Sequence, residues 1–255
     1  MSRIDDIFNK LKSEGKKAIM PFVVAGDPSL QDTAAIIKSM SSAGANVIEV
    51  GIPFSDPIAD GPVIAAAMHR ALQLNVTPQA VMEMVSKVRP EVEAGLVAMV
   101  SHSIVMKSGG NAFVQELQKS GFDGLIIPDI DIESAKELSS FCRSIDCSFT
   151  MLVAPTTASE RISKLSDLSS GFLYVLARIG LTGEQNDLPD LKPRIETLRS
   201  LTNLPLAVGF GISTRQHVCD VHECADAAIV GSALVRRLAE SESPAETAEK
   251  FLLEI

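Results

Sequence analysis

Eight short apolar runs, rich in β-branched residues, recur along the chain. Each is bounded by Gly, Pro or Asp, and each is followed by a stretch of helical periodicity. They occupy 18–25 (AIMPFVVA), 46–51 (NVIEVG), 95–100 (GLVAMV), 123–128 (DGLIIP), 148–154 (SFTMLVA), 171–176 (GFLYVL), 205–209 (PLAVG) and 227–231 (AAIVG). Seven steps thus separate residue 18 from residue 227, about 30 residues each, the length of one βα unit. Between the runs, 30–43 places Ala34, Ile37 and Met40 on one helical stripe, and 134–142 does the same with Leu138, Phe141 and Cys142. Strands apolar on both faces and alternating with amphipathic helices imply a parallel sheet. Eight even repeats favour closure into a (β/α)8 TIM barrel, with extra short helices, over a doubly wound sheet. No linker interrupts the pattern, so 1–255 is expected to form one domain. The longest step, from the second run to the third, contains FSDPIADGP and two helical patterns, 63–72 and 78–88. An enlarged loop of this kind usually serves function.

Composition narrows the function classes. With 46% hydrophobic and 22% charged residues the chain can bury a large core, and its formal net charge of −9 argues against nucleic acid or an anionic membrane as partner. The first residues are charged where a secretory signal would be apolar, and no stretch approaches about 18 apolar residues, so a soluble cytoplasmic protein is expected. Cys142, Cys147, Cys219 and Cys224 are read as reduced thiols rather than a disulfide framework. His217, Cys219, His222 and Cys224 superficially suggest a zinc cluster. On a helix, however, 217 and 224 share a face from which 219 and 222 are well removed, and no metal is expected. The basic run from Lys10 to Lys17 is read as a solvated helix end. Trp is absent and Tyr174 is the single tyrosine, so a pocket for a flat ligand must be walled largely by Phe and aliphatic residues.

In a barrel of this type the active site lies where the strands end. The period of two that turns Val47 inward also turns Glu49 inward, near the barrel mouth. Such a carboxyl either pairs with a Lys or Arg, or rises in pKa until it can exchange a proton near neutral pH. Eleven residues on, Asp60 either caps the helix that follows Gly61-Pro62 or supplies a second carboxylate at the same mouth. The last three runs are followed by Gly180-Leu-Thr-Gly183, Gly209-Phe-Gly-Ile-Ser213 and Gly231-Ser-Ala233. These are either tight turns or a phosphate cradle of backbone N–H groups and a helix N-terminus, and their order favours the cradle.

These motifs together resemble the tryptophan synthase α subunit family over the full length. The resemblance runs through PFV at 21–23, GDP at 26–28, EVGIPFSDPIADGP at 49–62, GLIIPD at 124–129, APTT at 154–157, RIGLTG at 178–183, GFGIS at 209–213 and VGSA at 230–233. It implies a lyase that splits indole-3-glycerol phosphate into indole and glyceraldehyde 3-phosphate, acting with a β subunit in an α2β2 complex. Glu49 matches the family's proton-transfer residue, Asp60 the carboxylate that accepts the indole N–H, and Thr182 the residue that positions that aspartate. Gly183, Phe210, Gly211, Gly231 and Ser232 match the phosphate site, and Phe22 and Tyr174 the pocket wall. Residues 178–193 would form a lid, and the loop from Pro53 to Pro62, with Pro53 and Asp56, would face the partner. No metal or organic cofactor is implied, pyridoxal phosphate belonging to the β subunit. Ser101-His102-Ser103-Ile104 stands where the family usually has a tyrosine followed two residues on by asparagine. Ala177 replaces a common serine, and 128–131 lacks the usual second proline. A stand-alone lyase, a catalytically silent activator of the β subunit, or another phosphate-binding barrel are the alternatives. A Schiff-base aldolase is disfavoured, because no run carries a lysine.

Overall fold

The computed structural model describes residues 1–57, 60–178, 189–209 and 211–255. Its strands are β1 (Ala18–Val24), β2 (Val47–Gly51), β3 (Gly95–Met99), β4 (Gly124–Ile126), β5 (Ser148–Thr150), β6 (Leu152–Val153), β7 (Leu173–Leu176), β8 (Leu206–Gly209) and β9 (Ala227–Val230). They pair in the order β5-β4-β3-β2-β1-β9-β8-β7-β6, all in parallel. The two ends of that order are consecutive pieces of the fifth apolar run with only Met151 between them, so the chain itself completes the TIM barrel. The sequence predicts one strand over 148–154, and the break has a local cause. The Met151 N–H donates to Ser169 Oγ at 3.1 Å and the Phe149 N–H to Ser170 Oγ at 3.0 Å, so two hydroxyls replace ladder acceptors.

The alternation of strand side chains divides the buried residues into two clusters. Outward-facing Ile48, Val50, Leu96, Ala98, Leu125 and Val208 join the helical layer. Inward-facing Met20, Val47, Val97, Ile126, Tyr174 and Ile229 fill the barrel interior. The helix α2 (Leu30–Ser42) buries Thr33, Ile36, Ile37 and Met40, whereas Ala34 of the expected stripe is only partly buried. Thr33 causes this rotation: its hydroxyl accepts the Gly26 N–H at 2.9 Å and donates to the Ser29 carbonyl at 2.8 Å, pinning the helix to the turn after β1. The enlarged step contains α3 (Pro62–Gln73) and α4 (Pro78–Val88), as its two helical patterns predict. The helix α7 (Ile132–Ser144) buries Ala135, Leu138, Ser139 and Cys142, with Phe141 partly buried.

The sequence reading assigns no role to the first helix, α1 (Arg3–Ser13), which closes the amino end of the barrel. Ser2 caps it, and Asp5 returns a bond to the Ser2 N–H at 2.8 Å, a reciprocal capping box. Ile4, Phe8 and Leu11, spaced by four and three, enter the interior cluster, where Phe8 meets Phe172 at 5.8 Å between ring centroids. A Cβ at Gly95 would lie 2.5 Å from Ile4 Cδ1, so β3 must start with glycine for the plug to seat. Asp5 also accepts the Gly171 N–H at 3.1 Å, and Ser2 Oγ meets Ser148 Oγ at 2.6 Å. Lys10 and Lys12 are exposed in its last turn, and Lys16 pairs with Glu14 at 2.8 Å, the solvated helix end that was expected.

The four candidate metal ligands do not converge: Cys224 Sγ turns to the Val221 carbonyl at 3.6 Å. His217, on α10 (Arg215–His222), lies 3.4 Å from Ser213 Oγ, His222 meets the Ala18 carbonyl at 2.9 Å, and Cys219 is exposed. All four cysteines are free thiols.

Truncating the plug tests this account. Phe8→Ala is expected to cost about 3–5 kcal/mol, a fall in Tm on the order of 10 °C by thermal unfolding. A shift below about 2 °C would mean that α1 does not seal the barrel.

Candidate active site

At the carboxyl ends of the strands the barrel interior opens into a cavity of about 370 Å³. Phe22 from β1, Glu49 from β2, Met99 from β3, Tyr174 from β7 and Ile229 from β9 line its floor, and Asp60, Gly211, Gly231 and Ser232 reach it from the loops. The register places Glu49 between Phe22 on one neighbouring strand and Val97 on the other. Its side chain is fully buried, and among the described residues neither carboxyl oxygen has a hydrogen-bond partner. The ion-pair alternative therefore fails. Burial pushes the Glu49 pKa up to about 8, so the group carries a proton at neutral pH.

Asp60 does not cap α3. Gly61 is the N-cap residue with no side-chain cap bond, and Pro62 occupies the first turn. The Asp60 backbone N–H donates to the Pro57 carbonyl at 3.0 Å, which turns the loop, and its carboxyl lines the cavity. Burial raises its pKa to about 6, well short of Glu49. Near pH 7 the site therefore holds one protonated and one ionised carboxyl, the separation that acid–base chemistry requires. Tyr174 lies within the field of both. Burial and then the charges of Glu49 and Asp60 hold its hydroxyl well above the usual phenol range, so it stays neutral. Gly209 makes room for it: a Cβ there would collide with the Tyr174 hydroxyl oxygen. Gly51 does the same for Phe22, whose Cζ would lie 2.6 Å from an added Cβ.

Across the mouth, Gly211 adopts φ 85°, a left-handed conformation that favours glycine, and Gly231 caps α11 (Ser232–Ala239). Ser232 and the first N–H groups of that helix meet the cavity wall, a position suited to an anion. Three of the sequence-predicted residues, Thr182, Gly183 and Phe210, lie outside the described residues, as does 179–188 of the expected lid. In the loop that runs on to Pro62, Pro53 is buried and Asp56 exposed.

Sequence reasoning missed part of the wall. Ser101, rather than His102, lines the cavity, because Ser101 caps the short helix α5 (His102–Lys107). Asp129, leaving β4, accepts from Ser101 Oγ at 2.9 Å and from the His102 N–H at 2.8 Å. A carboxylate immediately past a strand end was the available signal. On the next loop Arg194, from α9 (Lys192–Arg199), donates to the carbonyls of Ala154 at 2.8 Å and Thr157 at 3.2 Å, fixing the turn that continues the wall. Among the described residues no group of three or more His, Cys, Asp or Glu side chains could hold a metal.

A family model described as "Tryptophan synthase alpha chain" matches residues 8–254. The tryptophan synthase alpha chain of Acaryochloris marina is 40% identical over 248 residues, covering 96% of this chain and 92% of the relative. That of a Thermoanaerobacter species is 40% identical over 247 residues, covering 96% and 94%. Among solved structures, tryptophan synthase subunit alpha from Legionella pneumophila superposes with a TM-score of 0.91 at 34% identity, covering 99% of this chain and 96% of that one. A tryptophan synthase structure from Mycobacterium tuberculosis gives 0.89 at 29% identity, covering 98% and 97%.

Two outcomes follow from the geometry. Since the folded-state value of about 8 for Glu49 exceeds its ordinary 4.5, the native state retains a proton that the unfolded chain releases between them. Stability from this group is complete below about pH 4.5 and is lost as pH rises through about 8. Glu49→Gln, which cannot ionise, should unfold on the order of 10 °C above the parent near pH 9, with the gap closing toward pH 4.5. A gap independent of pH would show that Glu49 does not titrate there. Gly209→Ala should displace Tyr174 and lower kcat/KM at least about tenfold, a loss of about 1.4 kcal/mol in transition-state stabilisation. Steady-state kinetics alongside near-UV circular dichroism of the tyrosine would show whether the two changes occur together.

Proposed function

The chain belongs to the tryptophan synthase alpha chain family, and from that membership we propose how its cavity performs the family's lyase reaction, the retro-aldol cleavage of indole-3-glycerol phosphate in tryptophan biosynthesis. The buried carboxyl of Glu49, with no hydrogen-bond partner among the described residues, is the observation that carries the proposal, and burial keeps it protonated near neutral pH. It donates its proton to indole C3, which turns the ring into a cationic electron sink. The resulting carboxylate then takes the hydroxyl proton from the carbon attached to C3. That C–C bond breaks, its electrons return to the ring, and indole and glyceraldehyde 3-phosphate leave with Glu49 protonated as at the start. One group thus serves as acid and base in turn.

Asp60, ionised above about pH 6, accepts the indole N–H and stabilises the charge that appears on the ring. Phe22 and Tyr174 wall the indole, and Gly211, Gly231 and Ser232 hold the phosphate. Thr182, Gly183 and Phe210 complete this set by their match to the family motifs. The reading uses no metal or organic cofactor in this chain, with pyridoxal phosphate on a partner β subunit of an α2β2 assembly that meets Asp56 and its loop. Among the described residues no helix is long and apolar enough to cross a membrane, which suits the cytoplasmic, one-domain protein that we propose.

The test is indole release by the purified protein, with and without excess β subunit. Turnover is expected to be slow alone and to rise when β is added, and Glu49→Gln should lose at least about 10³-fold in kcat. Turnover indifferent to β would favour a stand-alone lyase, and none in either condition a silent activator. In the active protein kcat/KM should be bell-shaped, falling below about pH 6 as Asp60 gains a proton and above about 8 as Glu49 loses one. A profile that stays level above about pH 8 would remove Glu49 from the proton transfers.

A further inference from the structure

The substrate assigned to this cavity carries a phosphate dianion, yet the cavity is acidic. Glu49, Asp56, Asp60 and Asp129 all line it. Glu49 is largely neutralised by its own proton at pH 7, but Asp56 and Asp129 are exposed at the rim and meet an incoming anion first. Arg161 is the single cation among the described residues lining the cavity.

Nothing in the fold explains this arginine. It sits in the first turn of α8 (Ser159–Leu168), where the exposed N–H groups already make the local potential positive and a basic side chain is unfavourable. The N-cap residue Ala158 supplies no side-chain bond, and Glu160 is the acidic residue of that turn. Arg70, Arg89 and Arg194 each tie loops together through ion pairs or carbonyl bonds. The Arg161 side chain is exposed, and among the described residues it makes no hydrogen bond, ion pair or ring contact. Thr157 and Leu165, before and after it, face the same cavity, so the helix aims this stretch at the mouth.

We propose that Arg161 is a substrate-capture residue: its free guanidinium at the rim offsets Asp56 and Asp129 and draws the phosphate-bearing substrate into the cavity. The proposal rests on the lyase reading of the cavity. The charge acts on the phosphate before the reacting atoms are in place, so it lowers KM without entering the proton transfers. The low-dielectric walls of the cavity focus the field of a charge at its rim into the mouth, and salt attenuates that field over a Debye length of about 8 Å at physiological ionic strength.

The reverse reaction separates the charged reactant from the neutral one. Indole and glyceraldehyde 3-phosphate are condensed by the full chain with excess β subunit lacking serine, and each is varied against saturating concentrations of the other. Arg161→Gln should raise the KM for glyceraldehyde 3-phosphate about tenfold at low salt and less than about threefold near 0.5 M salt. The KM for indole and kcat should stay within about twofold, and Arg161→Lys should recover most of the loss because it keeps the charge. Equal rises in both KM values, a fall in kcat alone, or a rise insensitive to salt would overturn the proposal. A rise confined to indole would instead mean ring stacking, and would overturn it too. Activity in the unaltered protein keeps the lyase reading intact whichever way Arg161 behaves.

Discussion

A buried carboxyl group with no hydrogen-bond partner among the described residues, held inside a closed sheet, sets the terms for the rest of this structure. An ionised Glu49 would be costly where neither oxygen meets a donor among the described residues, so burial favours the protonated form and the cavity acquires an acid at neutral pH. The neighbours conform to that state. Phe22 and Val97 flank it in register without offering a charge, and Tyr174 contributes a hydroxyl that does not ionise. Asp60 sits on a loop, less buried and lower in pKa, so the two carboxyls differ in protonation without touching. Had β1 or β3 carried a lysine opposite Glu49, the site would be a structural ion pair and no more.

The two ends of the barrel solve opposite problems. The amino end must exclude water, and α1 does so with Ile4, Phe8 and Leu11 seated against Gly95 and Phe172. The carboxyl end must admit a ligand, so its closing residues are small. Gly51 and Gly209 leave space for the rings of Phe22 and Tyr174, and Gly211 and Gly231 line the cavity itself. The walls between them are held from outside, by Asp129 on α5 and by Arg194 on the turn after β6. Rigid scaffolding therefore surrounds a deliberately unfilled centre.

Legibility in the sequence follows the range of each interaction. The strands were readable because burial on both faces writes eight apolar runs, and Glu49 because a charge in such a run violates its own pattern. Asp60 and the glycines were readable as short motifs at strand ends. The break at Met151 was not, since it depends on a hydroxyl 18 residues away. Nor was the Ser101–Asp129 contact, which joins two loops across 28 residues. The periodicity of Ile4, Phe8 and Leu11 announces an amphipathic helix without naming the surface that receives it. Arg161 was hidden for a different reason: a lone arginine on a helix reads as solvated, and only the cavity beside it shows what it faces.

The attachment of α1 also orders events during synthesis. The ribosome releases the amino end first, but the seat for Phe8 includes Phe172, and the latch for Ser2 and Asp5 includes Ser148 and Gly171. More than half of the polypeptide must therefore emerge before the first helix can dock. Until then three large apolar side chains stay in solvent on a helix that its own capping box can start. The nascent chain thus carries an adhesive segment until residues 148–172 have emerged, and closure of the barrel floor is a late step of its assembly.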